Sequence, residues 1–346
     1  MNRPSPGRPA RLADVARAAG VGTSIASRVL NGDPTVSIRP ETRERILVAA
    51  RALNYRPNAL ARGLKLARTM SLGLVVNLAY YPENEAILVG VERRAASAGY
   101  VTLVADASEF TEQGEAYRRL LFERRVDGIV IASALVEDEL IRELAEESFP
   151  FVLVNRRLDG VSPSATGDDE LGMRIAVAHL AGLGHRRIAF VAGPLTAEVI
   201  QRQLAGFHSG MRDAGLEIPP AHIVEATLDE DSGFRCMERL LALDPRPTAV
   251  VIWSPTTAVS ALASARRRGL RLPGELSIVA HKDAGLAAYL DPPLTTVRMP
   301  LREAAEAGVD CLLRAIGGEP VESVVVETPP VLVERGSTAP APAAGG

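Results

Sequence analysis

Cysteine is nearly absent from this chain: among 346 residues only Cys236 and Cys311 occur, far apart in sequence. A disulfide framework and a cysteine-rich metal site are therefore not expected, and both thiols read as free and buried. Long apolar runs are missing too; none approaches the roughly 20 residues that a membrane-spanning helix needs. Met1 to Arg11 carry positive charge with no apolar segment behind them, which is not the pattern of a secretory leader. The expectation is a cytoplasmic protein with no membrane partner. Catalytic signatures are lacking as well. Nucleophile elbows, Walker loops, His-Glu-x-x-His helices and dinucleotide-binding glycine fingerprints find no counterpart in a strand-loop-helix setting. The five histidines, His179, His185, His208, His222 and His281, show no metal-ligand spacing. His185 stands in a Gly-His-Arg turn and reads as structural. Asp168-Asp169 reads as the cap of a helix. No catalysis, no metal and no cofactor are expected.

What the chain does have is an uneven charge. Residues 1–68 hold thirteen basic side chains, all but one of them Arg, against four acidic ones; the remainder holds 26 basic and 38 acidic. The overall charge of −3 hides a basic front on an acidic body. Such a front suits a polyanion, although a plain basic tail has the same composition. The length and a hydrophobic content of 47% support two or three cores.

Residues 1–10 and 337–346 are rich in Pro, Gly, Ala and Ser and read as disordered tails. Between them two textures succeed one another. From Arg11 to Leu53 the pattern is helical. Leu12, Val15, Ala16 and Ala19 form one apolar face, Gly20-Val21-Gly22 breaks it, and Ala26, Val29 and Leu30 form a second, ending at Asn31-Gly32. Ile46, Ala49, Ala50 and Leu53 stripe a third helix opened by Pro40-Glu41. From Ser71 onward short Val/Ile/Leu runs alternate with helical stretches. The strands read are Leu72–Val76, Val101–Ala105, Gly128–Ala132, Phe151–Asn155, Arg187–Ala192, Ala249–Trp253 and Leu276–Ala280. Near-continuous apolar strands separated by helices predict parallel sheets covered on both faces, and their number predicts two doubly wound lobes.

Two short helices around a glycine turn suit a major-groove reader, because the groove admits one helix and its N-terminal residues meet base edges. With Ala26, Val29 and Leu30 turned to the core, Thr23, Ser24, Ser27 and Arg28 point outward together. Hydroxyls can contact bases or phosphates, and Arg28 can take a guanine bidentately or clamp a phosphate. An ordinary helical hairpin with a solvated polar face has the same spacing.

The stretch Asp14-Val15-Ala16, Ala19-Gly20-Val21 and Ser27-Arg28-Val29-Leu30-Asn31 resembles the headpiece of the lac/galactose repressor (LacI/GalR) family. Val36-Ser37, Glu41 to Ile46 and Asn54-Tyr55-Arg56-Pro57-Asn58-Ala59 continue the likeness. Gly73 to Val76, Arg125-Val126-Asp127-Gly128, Leu183 to Ala189 and Asp291 to Val297 extend it, in one order, over roughly residues 11–335. The resemblance implies a small all-α helix-turn-helix headpiece over 11–57. A hinge helix or linker over 58–69 would join it to a two-lobed α/β sensor, periplasmic-binding-protein-like, over 70–336. One lobe would take about 70–162 and 298–322, the other about 163–297 and 323–336. It implies that Thr23 and Ser24 read bases and that Arg28 contacts DNA, with Ser27, Asn31, Tyr55 and Asn58 in the same interface. Ile25 stands where relatives usually carry a threonine, so one backbone contact is expected to be lost. In the hinge, Leu64 matches the residue that wedges between central base pairs, with Ala61 beside it and Lys65 reaching the groove; a plain linker is the alternative. A homodimer on a pseudo-palindromic operator is implied, because one headpiece carries few contacts. No leucine heptad is present after the last strand to make a tetramer.

The resemblance also implies a small-molecule effector between the lobes. Its walls would include Tyr81 and Glu83, Arg156, Gln201, Leu228, Trp253, Ser254, Lys282 and Asp283, with His281 adjacent. Gln201 stands for a usual arginine, Leu228 for an aromatic, Ser254-Pro255 for Asn-Asp, and Lys282-Asp283 for Asp-Asp. Lys282 with Arg156 would favour an anionic ligand. A neutral ligand and an empty, drifted cleft stay open, the latter making a constitutive DNA binder. Lys282 paired with Glu83 or Asp283 would serve the bland readings. A cytosolic solute-binding protein is the remaining alternative, which the basic headpiece argues against.

Overall fold

The computed structural model describes residues 10–31, 33, 35–55, 68–77, 84–106, 125–133 and 138–342. Contacts divide the chain into Met1–Met70 and Ser71–Gly346. In the first unit α1 (Leu12–Ala19), α2 (Thr23–Leu30) and α3 (Pro40–Ala52) enclose one core. Val15, Ala16, Ala19, Ala26, Val29, Ile46, Ala49 and Ala50 are buried in it, and Leu12, Leu30, Leu53 and Tyr55 pack around the rim. The spacing of these residues made the helices legible. Gly20 closes α1 at φ +65, a left-handed position that glycine takes without a steric penalty. Pro40 opens α3, where a missing N–H costs nothing.

The second unit contains two six-stranded sheets. The first comprises β1 (Ser71–Val76), β2 (Val101–Asp106), β3 (Gly128–Ala132), β4 (Phe151–Val154), β5 (Ser164–Thr166) and, late in the chain, β11 (Val324–Val325), in the order β11-β5-β4-β3-β1-β2. Its strands pair in parallel throughout, with Leu72 beside Gly128 and Val130 beside Val152. The second comprises β6 (Ile188–Ala192), β7 (Ile223–Glu225), β8 (Ala249–Ile252), β9 (Ser277–His281), β10 (Thr295–Arg298) and β12 (Val331–Val333), in the order β12-β10-β9-β8-β6-β7. Of these, β12 runs antiparallel to its neighbour. Among the described residues the unit's α-helices are α4 (Glu85–Ser97), α5 (Asp138–Glu146), α6 (Asp169–Gly182), α7 (Glu198–Asp213), α8 (Ser232–Leu241), α9 (Pro255–Arg267) and α10 (Leu301–Ile316). β3, β4, β6, β8 and β9 are buried along their whole length, as strands covered on both faces must be.

Each sheet has its first strand second from the edge, so strand order reverses between β1 and β3 in one lobe and between β6 and β8 in the other. Ligands of open α/β sheets lie beyond the carboxyl ends of the strands at such reversals. The chain passes between the lobes three times: after β5, after β10 and after β11. At the first two crossings the segments touch; a Cβ at Gly167 would stand 3.1 Å from the Pro300 ring.

Two expectations need correction. The strands Ser164–Thr166 and Val324–Val325 belong to the first sheet, beyond the expected passages to the second lobe at 163 and 323. The tail expected to be disordered from 337 is ordered through Pro342. Ser337 is buried; its carbonyl accepts from Ile278 N at 2.8 Å, and its hydroxyl accepts from Thr295 N at 2.8 Å. Ala339 N donates to Ser277 Oγ at 3.1 Å, and Ala341 N donates to Leu183 O at 2.8 Å. Small hydroxyl residues that look like low-complexity sequence here finish the hydrogen bonding of β9 and β10. His185, fully buried, holds the same strap: its ring nitrogens bond Thr248 Oγ1, Ser277 Oγ and Ala339 O at 3.0–3.1 Å. Cys236 and Cys311 are free and buried. Among the described residues no helix is long and apolar enough to cross a membrane. Residues 1–9 and the hinge positions Asn58, Ala61, Leu64 and Lys65 lie outside the described residues.

Candidate DNA-reading helix and ligand cleft

α2 begins at Gly22, which offers no side-chain cap, so the first N–H groups of the helix are not blocked by a capping oxygen of their own chain. Thr23, Ser24 and Ile25 are exposed on this turn, while Ser27 and Arg28 are half-buried along the next. Arg28 does not project freely. Its Nε donates to Asp33 Oδ2 at 2.8 Å and its Nη2 to Thr35 Oγ1 at 2.7 Å. Asn31 folds back, donating from Nδ2 to Ser27 O at 2.8 Å. Tyr55 lies half-buried against the headpiece core.

Between the lobes lies a cavity of about 630 Å³. Asn77, after β1, and Ala132 and Ser133, at the end of β3, approach it from one switch point; Pro194, after β6, and Trp253, after β8, approach it from the other. Arg156, Leu228, Trp253 and Lys282 line it, whereas Gln201, Ser254 and Asp283 do not. Gln201 is exposed on α7 with its amide on Leu195 O, because the inward positions of that helix are Ile200, Gln203, Phe207 and Met211. Ser254 is buried as the cap of α9, accepting from Thr256 N at 3.2 Å. Asp283 accepts from Thr296 Oγ1 at 2.7 Å and from Arg335 at 3.0 Å. Lys282 follows β9 with a bridge to Val297, and Asp283 beside it is held away by Thr296 and Arg335. Tyr81 and Glu83 lie outside the described residues.

Among the described residues the cleft lining carries more cations than carboxylates. Arg142, Arg156, Arg157 and Lys282 face Asp159 and Glu198. Arg156 is buried and donates to Ser133 O at 2.7 Å. Glu198 is already occupied: Arg202 grips its carboxylate from behind, and Arg157 N donates to its Oε2 at 3.0 Å. The latter bond ties the loop after β4 in one lobe to the start of α7 in the other. Lys282 is only 5% exposed. Among the described residues no carboxylate pairs with it; its ammonium stands 5.7 Å from the Trp253 ring centroid. Its φ is +71, a strained conformation for a lysine, costing about 1–3 kcal/mol.

Behind this wall lies a buried polar cluster. Arg202 donates to Asp169 Oδ2 from Nη2 at 2.7 Å and from Nε at 3.2 Å. Burial works against the charge of Arg202, but Asp169 and Glu198 outweigh it and raise its pKa. Gln203 Nε2 meets His281 Nδ1 at 3.2 Å, and His281 Nε2 lies 3.8 Å from Asp169 Oδ1. Full burial pushes the His281 pKa down to about 4, against the pull of Asp169 and with the help of Lys282 and Arg202. His281 therefore stays neutral and touches the cleft only through its neighbours. Asp168 caps α6 by accepting from Leu171 N at 2.9 Å, as expected, but Asp169 belongs to this cluster instead.

Residues 11–58 match the bacterial regulatory proteins of the lacI family, and residues 177–338 match the periplasmic binding protein-like domain. The HTH-type transcriptional repressor PurR of Erwinia tasmaniensis is 32% identical over 339 residues, spanning 96% of this chain and 98% of that protein. The ribose operon repressor of Escherichia coli K12 is 31% identical over 331 residues, spanning 95% and 99%. Among solved structures, the lac repressor dimer bound to operator and the anti-inducer ONPF shares a TM-score of 0.79 at 28% identity, covering 96% of this chain and 100% of that one.

The chain belongs to the lacI family.

As a lacI-family member it is a DNA-binding transcription regulator. α1 and α2 are its helix-turn-helix, and the two-sheet unit is its periplasmic-binding-protein-like domain. For this lacI-family cleft, sequence reasoning missed Arg142, Arg157 and Glu198. Arg157 stood beside Arg156; a register assigned to α7 would have rejected Gln201, whereas Glu198, in the first turn and off the apolar stripe of that helix, carries no periodic signal.

Proposed function

We propose that this regulator represses transcription as a homodimer on a pseudo-palindromic operator, and that an anionic small molecule in the interlobe cleft sets its affinity for DNA. It acts in the cytoplasm as a switch and performs no catalytic step. Thr23, Ser24, Ser27 and Arg28 carry the base and phosphate contacts, in duplicate, across two half-sites. The family of repressors to which it belongs, including one solved as a dimer on its operator, supports the DNA side of this reading. The observation that carries the ligand side is Lys282. Among the described residues the buried ammonium meets no carboxylate, a costly state unless an anion completes it, and Glu198, a carboxylate of the same wall, is held by Arg202, which it shares with Asp169. A ligand that binds one lobe geometry better than another shifts the regulator between states of different operator affinity.

Two measurements test this. Selection of bound duplexes from genomic fragments with the purified protein should recover an inverted repeat; no preference over random duplex would refute the DNA reading. Calorimetry with carboxylates, phosphates and neutral sugars should find its tightest ligand among the anions. Lys282→Met should weaken that ligand by about 10–100-fold, the range expected for a charge-assisted hydrogen bond of roughly 1.5–3 kcal/mol. Tight binding of an uncharged sugar, unaltered by Lys282→Met, would overturn it.

A further inference from the structure

By its sequence pattern the reading helix ends at Asn31, and neither Asp33 nor Thr35 has a part in it. The structure shows a closed set of polar contacts there. Arg28 lies in the last turn of α2, with 43% of its side chain exposed. Asp33 turns back beneath it: Asp33 N donates to Arg28 O at 2.9 Å, and Asp33 Oδ2 accepts from Arg28 Nε at 2.8 Å. Thr35 completes the ring. Its Oγ1 accepts from Arg28 Nη2 at 2.7 Å, and it donates to Asp33 Oδ1 from Oγ1 at 2.7 Å and from N at 2.9 Å. The Arg28 guanidinium beside Asp33 holds that carboxyl well below the usual carboxylate range. Asp33 is therefore charged wherever the protein meets DNA.

The geometry of the guanidinium gives this ring a consequence. An arginine offers five N–H donors in a rigid planar fork. The edge formed by Nε and Nη2 is consumed by Asp33 and Thr35. The end formed by Nη1 and the second hydrogen of Nη2 is left over, and that end can meet guanine O6 and N7 together. A lysine could not be held in this way, nor would an arginine clamping a phosphate from a flexible stem require it. The cost of placing a carboxylate near a polyanion is otherwise unexplained: the headpiece is strongly basic, and Asp33 works against its attraction to phosphates.

We propose that Asp33 and Thr35 are positioning residues that aim the free end of Arg28 at one guanine in each half-site, trading general affinity for base discrimination. The inference goes beyond the assignment of the chain as a DNA-binding regulator and concerns which residues set its sequence preference.

The test uses the full-length protein and the inverted repeat recovered by selection. Each guanine of a half-site is replaced in turn by 7-deazaguanine, which removes the N7 acceptor and leaves pairing intact. The guanine read by Arg28 is the one at which Arg28→Ala and the base change are not additive. There, wild-type discrimination should be about tenfold or more. Asp33→Asn and Thr35→Ala should each abolish most of it while preferences at the other positions persist, and Thr35→Ser, which keeps the hydroxyl, should retain it. On random duplex Asp33→Asn should bind at least as tightly as wild type, since a negative charge has gone. A merely structural role would weaken every duplex in parallel and lower the headpiece melting temperature, with base preferences unchanged; that result overturns the proposal. So does uniform strengthening of all duplexes by Asp33→Asn, or an Arg28→Ala variant whose guanine preferences match wild type. Failure to recover any inverted repeat would overturn both this proposal and the DNA reading beneath it, whereas the other outcomes leave that reading standing.

Discussion

The fully buried His281 should make the sensor unit lose stability at mildly acid pH. In the folded chain its pKa is pushed down to about 4 by burial; unfolded, the imidazole has its ordinary value near 6.5. Between those values the unfolded state binds the extra proton, so unfolding free energy rises with pH there. The contribution is complete above about pH 6.5 and is lost as pH falls toward about 4. One pKa unit corresponds to about 1.4 kcal/mol, so the window is worth about 3 kcal/mol. Protonation is resisted because the ring is enclosed: Gln203 meets Nδ1, a Cβ on Gly172 would stand 2.9 Å from Nε2, and the charged neighbours Lys282 and Arg202 oppose Asp169. His179, His185 and His222 are lowered by burial too and add in the same direction. The paired carboxylates Asp229, Glu238 and Glu275, which are lowered, lose their contributions only below the ordinary carboxylate range. Urea unfolding of the full-length protein from about pH 7 to about pH 4.5 measures the slope. His281→Gln, which keeps a buried amide beside Gln203, should flatten it by the share of one histidine. An identical slope in wild type and His281→Gln would refute the reasoning.

Two further perturbations act on buried polar groups. Arg202→Met strips the cation from Asp169 and Glu198 together and should cost about 3–5 kcal/mol. At roughly 2 °C per kcal/mol for a unit of this size, the melting temperature of the sensor should fall by about 6–10 °C, while a fall under about 2 °C would count against the cluster. Ending the chain at Gly336 leaves the buried N–H groups of Ile278 and Thr295 without Ser337, a loss of about 2–6 kcal/mol in calorimetry. A chain ending at Pro342 keeps these bonds, and equal stability of the two truncations would show that the strap holds nothing.

Much of the fold was legible because burial and composition agree where strands and helices are long. Ile129, Val130 and Ile131 form an apolar run and become a strand buried along its length. Val15, Ala16 and Ala19 repeat at helical spacing and become the face that closes the headpiece. The short edge strands were not legible. Ser164–Thr166 is fully buried yet contains no large apolar residue; its place in the sheet comes from its neighbours. The same holds for the strap, whose Gly-Ser-Thr-Ala-Pro composition carries no apolar signal but whose hydroxyls complete two strand ends. In the cleft, the positions expected from the resemblance line the cavity where the backbone kept register and lie off it where it did not. Gln201 is one helical step from the inward face, and Asp283 is one strand residue past it.

The cleft residues also suggest what a ligand has to do. The lobes are linked by the bond from Arg157 N to Glu198, whose carboxylate Arg202 holds in place. Lys282 comes from the second lobe, Arg156 from the first, and an anion reaching both would add a second link of the same kind. It need only bind this arrangement of the lobes better than another, and the shift is limited to the difference between the two affinities. A residue that strengthens the resident link therefore lowers what the ligand can change, and one that weakens it raises the ligand's leverage. On the proposed reading, that places Glu198, which contacts the opposite lobe directly, among the residues whose substitution should change the ligand response.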